Sequence, residues 1–206
     1  MSHRFRELTA DRLTELPPPC RSCVFWELPH ARRGPQKDAA RGAEAKLLWV
    51  RSQELESGAP GLILVHRGET VAYALYMPAE EAHRARRLGS TPSDDALVLA
   101  TMWVAPSARE SGVAKAMLHS VLKHAHDAGL RAVEAIGARG DASPCMLPEP
   151  FLIANGFVVH HEHPSYPLLR LDLRQTARWQ EAMEHALEGV RAALSRRERN
   201  PAPSSA

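Results

Sequence analysis

Two hydrophobic periods alternate along this chain and divide it into strands and helices. Phe5 to Leu8 reads as a short first strand, and Thr9 as the N-cap of a helix carrying Leu13 and Leu16 that Pro17-Pro18-Pro19 stops. Cys20 to Leu28 is apolar but irregular. Pro29 to Gly42, rich in Arg, Gly, Pro and Ala, reads as a loop. A helix follows, with Leu47, Leu48, Arg51 and Leu55 near one face and Gly58 beyond its end. Leu62 to His66 and Thr70 to Met77 read as a hairpin about Arg67-Gly68-Glu69. Pro78 to Asp95 is a polar connection with room for a short helix. Ala96 to Val104 is one continuous apolar run, the pattern of a central strand covered on both faces.

After Pro106 the period changes from 2 to 3.6. Ala114, Met117, Leu118, Val121, Leu122 and Ala125 make one helical stripe that Gly129 ends. Arg131 to Ile136 is another strand, Pro150 to Asn155 a short helical turn, and Phe157 to His161 and Leu168 to Leu173 are the last strands. Trp179, Met183, Leu187, Val190 and Leu194 then mark a long amphipathic helix, whose stripe must be buried on the sheet or against a second copy of the chain. Asn200 to Ala206, rich in Pro and Ser, reads as a disordered tail. No internal repeat is present. The order predicts an α/β fold with a mixed sheet and an added C-terminal helix.

Composition narrows the function. The 206 residues suit one domain with an extension. Lys plus Arg is 26 against 24 for Asp plus Glu, so the net charge is +2 and bulk-charge binding of nucleic acid is not expected. Leu97 to Ala105 is the longest apolar stretch and is too short to span a bilayer. Met1-Ser2-His3-Arg4 leads into no apolar segment of a secretory signal. Three cysteines exclude a disulfide framework and fit a reducing compartment. A cytoplasmic enzyme or binding domain is expected.

The sharpest local feature follows the long apolar strand. Arg109-x-x-Gly112-x-Ala114 opens the amphipathic helix, with small residues where a ligand can approach the backbone. A helix start offers unpaired N–H groups and the positive end of the helix dipole, which suits a pyrophosphate. Arg109 can add a charge-assisted contact. The same residues also fit a plain strand-to-helix turn. The spacing is neither that of a Walker A loop nor that of a dinucleotide-binding fingerprint.

With Leu97 to Val104 ahead of it, this motif resembles the signature of the GNAT acetyltransferase superfamily. A second family feature, an aromatic-containing turn before Gly-Phe, reads Phe151-Leu152-Ile153-Ala154-Asn155-Gly156-Phe157. The resemblance covers roughly residues 4 to 173, two motifs in register being more specific than either alone. It implies a GNAT-like domain over 1–173, a mixed central sheet flanked by helices, with the helix 174–197 and the tail 198–206 as additions. It implies acetyl-CoA as co-substrate. Backbone N–H groups of Glu110, Ser111, Gly112, Val113 and Ala114 would hold its pyrophosphate, supported by Arg109. Lys115 would reach a phosphate or stay solvated. The backbone of Met102 and Val104 would pair with the pantetheine arm.

The implied reaction is direct transfer of an acetyl group to an amine, small-molecule or protein. The Val104 N–H would polarise the thioester oxygen. The chain departs from the family at the tyrosine that commonly protonates the leaving thiolate: that position is Leu152, beside Phe151. Ala96 to Val104 also lacks the carboxylate that some members carry there. Tyr166, Cys145 and the histidines at 160, 161 and 163 are the substitutes, each with a bland alternative as a packed or solvated side chain. Glu27, after Trp26, is placed to bind or deprotonate an amine, or is a surface glutamate. Arg84, Arg86 and Arg87 either clamp an acidic substrate or belong to a charged loop, and His119 and His126 read as a solvated helix face. Two further functions stay open: an acyl-CoA-binding or regulatory module without catalysis, and a zinc-stabilised interaction protein built on Cys20-Arg21-Ser22-Cys23. No resident metal is expected in the acetyltransferase or in the acyl-CoA-binding module.

Overall fold

The computed structural model describes residues 4–31, 38–140 and 145–173. Its elements are β1 (Arg4–Glu7), a 3-10 turn (Ala10–Glu15), α1 (Pro18–Arg21), α2 (Ala39–Glu56), β2 (Gly61–His66), β3 (Glu69–Pro78), α3 (His83–Arg87), β4 (Ala96–Val104), α4 (Val113–Asp127), β5 (Ala132–Ala138), β6 (Leu147–Pro148), α5 (Glu149–Ala154), β7 (Val158–His161) and β8 (Leu168–Asp172). The strands form one mixed sheet in the order β1-β2-β3-β4-β5-β8-β7, with β6 beside β5. The expected α/β class and mixed sheet are therefore present. The 174–197 helix and the 198–206 tail lie outside the described residues.

Local chemistry accounts for the elements. The β2–β3 turn is the two-residue Arg67-Gly68, both at positive φ (53° and 86°), which matches the right-handed strand twist. The segment after Thr9 is a 3-10 turn with no side-chain cap, not an α-helix. The prolines follow the end of that 3-10 turn at Glu15, and Pro18 and Pro19 also start α1, where proline's missing N–H costs nothing. Asp38 caps α2, its side chain accepting from the Arg41 N–H at 3.1 Å.

The sheet has a core on each face. Met117, Leu118, Val121 and Leu122 of α4 pack with Leu97 and Leu99 on one side, together with Leu152 of α5. Leu16, Phe25, Trp26, Ala82 and Ala85 cover Ile63, Val98 and Ala100 on the other. The leucine face expected for α2 is wrong: Leu48 and Leu55 are 61% and 88% exposed. Gly42, Lys46, Val50 and Gln53 are buried instead. A lysine counts against a buried face in any hydropathy pattern, but here it has a buried partner. His119 is also buried, at 7% exposure, where a solvated face was expected; its neighbours Ala116, Leu118 and Leu122 carry the core around it.

Candidate active site

Two irregularities in β4 make the site. The first is its parting from β5. The strands pair in parallel only through Ala96–Ala132, Leu97–Val133 and Val98–Glu134. β4 runs on to Val104, while β6 pairs with Gly137 and Ala138 further along β5. A wedge opens beyond Val98. On the other edge β4 stays bonded to β3, and the Ala105 N–H donates to the Val71 carbonyl at 2.8 Å. Antiparallel bonding alternates by two residues, so Trp103 and Thr101 face Tyr73 and Leu75. The backbone groups of Met102 and Val104 then turn outward into the wedge.

The second irregularity is a register slip between Leu75 and Tyr76, opposite Thr101 and Leu99. It leaves Ala100 as the extra residue of a β-bulge. Ala100 packs with the second core while Thr101 lines a cavity beside it, so two consecutive side chains face the same side. Met102 and Val104 pack toward the α4 core.

At the far end of β4, a 3-10 turn (Pro106–Ala108) leads to Arg109 and Glu110, both exposed. Glu110 holds φ 61° and Gly112 φ 81°, the left-handed region. The Ser111 hydroxyl donates to the Ala108 carbonyl at 2.5 Å. The first helical bond of α4 runs from Ala116 N–H to the Gly112 carbonyl, so the N–H groups of Val113, Ala114 and Lys115 have no intrahelical partner. Gly112 and Lys115 are exposed and Ala114 half-buried, leaving this helix start open to solvent.

On the opposite face, under Thr101 and Trp103, lies a cavity of about 230 Å³. Trp26, Tyr73, Leu75 and Cys145 contribute to its walls. Its carboxylate is Glu27, which accepts a hydrogen bond from the Lys46 ammonium; their side chains are 2% and 3% exposed. Glu27 is thus a buried wall residue and not a surface glutamate. The turn that carries it is held by Arg84, which donates to the carbonyls of Phe25, Leu28 and Ala31 at 2.8, 2.7 and 2.6 Å. The Arg84 guanidinium also stacks 4.4 Å from the Phe25 ring centroid. Arg84 is therefore a structural brace, not a substrate clamp. Nothing in the hydropathy pattern marks Lys46 or Arg84 as partners of the 25–31 turn; both act over long sequence separations.

Of the remaining candidates, Cys20, Cys23 and Cys145 line this cavity and Tyr166 is not among its lining residues. Tyr166 stacks on His163 with ring centroids 5.7 Å apart, and its N–H donates to His163 Nδ1 at 2.9 Å. Leu152 is fully buried and carries no proton to donate. Cys20, Cys23 and Cys145 are thiols. Cys23 and Cys145 Sγ lie 3.4 Å apart, and Cys20 is in hydrogen-bond contact with Tyr73. The contact with Cys145, with burial, pushes the Cys23 thiol far above its ordinary range. Burial raises Cys20 and Tyr73 likewise. Among the described residues no group of three or more His, Cys, Asp or Glu side chains is placed to hold a metal ion, so the zinc reading has no ligand set there. Among those residues, too, no helix is long and apolar enough to cross a membrane.

The model of the acetyltransferase (GNAT) family matches residues 21–142. The chain belongs to the GNAT acetyltransferase family. Solved GNAT-fold structures superpose over most of its length. The PaiA N-acetyltransferase of Thermoplasma acidophilum, solved with coenzyme A, is 13% identical with a TM-score of 0.56, covering 84% of this chain and 99% of its own. The Salmonella typhimurium protein YncA, solved with acetyl-CoA, is 14% identical with a TM-score of 0.57, covering 86% and 97%. GphF, a GNAT-like decarboxylase solved with isobutyryl-CoA, is 19% identical with a TM-score of 0.56, covering 84% and 100%. No curated protein matches the chain in sequence. At these identities the superpositions establish the GNAT fold.

Proposed function

We propose that this GNAT-family chain transfers an acetyl group from acetyl-CoA to an amine held in the cavity under Trp103. The observation that carries the reading is the parting of β4 from β5 after Val98 and Glu134. It exposes a strand edge between a helix N-terminus on one side and a cavity with a buried carboxylate on the other. The fold neighbours PaiA and YncA were solved with coenzyme A and acetyl-CoA, which supports the choice of donor.

The residues present fit that donor. The N–H groups of Val113, Ala114 and Lys115, with those of Glu110 to Gly112, meet the pyrophosphate, and Arg109 adds charge. The outward backbone of Met102 and Val104 pairs with the pantetheine arm as a strand edge would. Acetyl-CoA supplies a thioester carbonyl of high transfer potential. The Val104 N–H donates to the oxygen that becomes negative in the tetrahedral state. Glu27 orients the amine and takes a proton from it, with Lys46 holding the carboxylate in place. No side chain is assigned to protonate the leaving sulfur: a thiol's ordinary pKa of about 8.5 lets a thiolate leave near neutral pH without one. Positioning supplies most of the rate, as in other reactions between two pre-oriented partners.

A second reading, an acyl-CoA-binding module without turnover, is favoured by Leu152, which is fully buried where the family's acid commonly sits. Release of free thiol from acetyl-CoA over an amine panel separates the two. Turnover above hydrolysis establishes transfer. Binding of acetyl-CoA with no turnover on any amine assigns the module.

A further inference from the structure

We infer that the acceptor is a compact, largely apolar primary amine, with one amino group on a single ring or a short branched chain. The inference rests on the acetyl-transfer reading of the cavity and names the substrate class for it. Size sets the first limit. An apolar cavity of about 150 Å³ takes up a benzene, so about 230 Å³ admits one ring and a short aminoalkyl arm. The walls are packed in place. Trp26 is 3% exposed, its Nε1 donates to the Cys145 carbonyl at 2.7 Å, and the Phe25 ring meets it edge-on at 5.4 Å. Tyr73 and Leu75 are 5% and 2% exposed, and Trp103 closes the β4 side.

Charge sets the second limit. Among the described residues, the charged groups of the lining are Glu27 and Lys46, which are bonded to one another. The cavity therefore carries no net charge before substrate arrives. One ammonium can sit at Glu27 and against an indole face. A second ammonium, as on a polyamine, would be stripped of water against Leu75 and the indoles with no partner. A peptide N-terminus would bring amide groups that these walls leave unbonded. The apolar amine avoids both costs. In the reaction its nitrogen bonds the acetyl carbon and the carbon–sulfur bond breaks. Of the two protons the ammonium gives up, one leaves through Glu27 to solvent and the other ends on the coenzyme sulfur.

The test uses the full chain with saturating acetyl-CoA and three amines: 2-phenylethylamine, spermidine and an alanine-initiated tetrapeptide. Thiol release gives kcat/KM, and quenching of tryptophan fluorescence that is lost in Trp103→Phe gives binding at the cavity. The expected result is a kcat/KM for 2-phenylethylamine at least about tenfold above the other two. Equal or better turnover of spermidine or the tetrapeptide overturns the substrate class and leaves acetyl transfer standing. Quenching by 2-phenylethylamine alone, with no turnover of any amine, overturns acetyl transfer and upholds the class of ligand. Neither quenching nor turnover with 2-phenylethylamine overturns the inference.

Discussion

Among the described residues Arg170 is the one cation bonded to a buried carboxylate at the vertex of the wedge, and replacing it with Met strips that carboxylate of its partner. Glu134 is fully buried and is the last β5 residue paired to β4. It accepts from the Ser93 N–H at 2.9 Å, the Ser93 hydroxyl at 2.7 Å and Arg170 Nη1 at 2.9 Å. Arg170, with its side chain 14% exposed, also grips Asp95 at 2.9 and 3.1 Å and Asp172 at 3.0 Å. The two aspartates are more exposed, at 38% and 45%, and regain water when the arginine goes. Glu134 cannot. Leaving one charge of such a pair buried and unmatched costs roughly 3–5 kcal/mol. With a urea slope of about 2 kcal/mol/M, the unfolding midpoint of Arg170→Met should fall by about 1.5–2.5 M. Glu134→Gln, which removes the charge but keeps a hydrogen-bonding head, should cost about 1.5–3 kcal/mol. The double replacement Glu134→Leu with Arg170→Met should cost less than Arg170→Met alone, because no unpaired charge is left. Urea titrations followed by circular dichroism measure all three. A loss below about 1 kcal/mol for Arg170→Met, or a double variant less stable than that single one, refutes the reasoning.

Three other outcomes follow from the geometry. Gly112→Val places a β-branched residue at φ 81°, a left-handed position costing about 1–2 kcal/mol for an L-residue, and puts its side chain beside the N–H cluster; calorimetric titration should show coenzyme A affinity falling at least about a hundredfold, and unchanged affinity would sink the phosphate-site assignment. Cys23 and Cys145, 3.4 Å apart, should close to a disulfide with hydrogen peroxide, two thiols giving two hydrogens and peroxide leaving as water; intact mass should drop by two hydrogens in wild type and not in Cys23→Ser. Burial, reinforced by the Lys115 cation, holds His119 below the ordinary histidine value, and its Nδ1 is buried with no hydrogen-bond partner among the described residues. The folded state thus binds its proton less readily than the unfolded one, so this stability is present above about pH 6.5 and is lost as pH falls through the lower folded value. His119→Gln should flatten the decline in urea midpoint between pH 7.5 and 5, and a parallel decline would reject the assignment.

The parts of this molecule that can be read from sequence are those made by neighbours in sequence. The nine-residue apolar run of β4 stands within its expected limits, Ala96 to Val104, because a strand covered on both faces needs no alternation. The stripe of α4 and the small residues at its start are legible for the same reason. What escapes is set by partners far away. Lys46 is buried because Glu27, nineteen positions earlier, receives its charge, and that displaces the buried face of α2 from its leucines. Arg84 is buried because three carbonyls between Phe25 and Ala31 surround it. The bulge at Ala100 has no residue signature at all, since alanine in an apolar run reads the same paired or unpaired.

That bulge ties the two halves of the site together. A strand without it would alternate strictly, and once Leu99 faced the α4 core, Thr101 would face it too. The slip returns Thr101 to the cavity side and sends Met102 and Val104 toward the α4 face. It also fixes which backbone groups point into the wedge, because the bonded edge of β4 is set by Ala105 and Val71 downstream of the slip. The wedge alone would expose an edge with no cavity in register; the cavity alone would have no donor beside it. On the proposed function, the positioning demanded for transfer between two bound molecules rests on one extra residue in β4. In the proposed transfer reading, the register of edge and cavity, and not a tyrosine at position 152 where a buried leucine stands, carries the positioning.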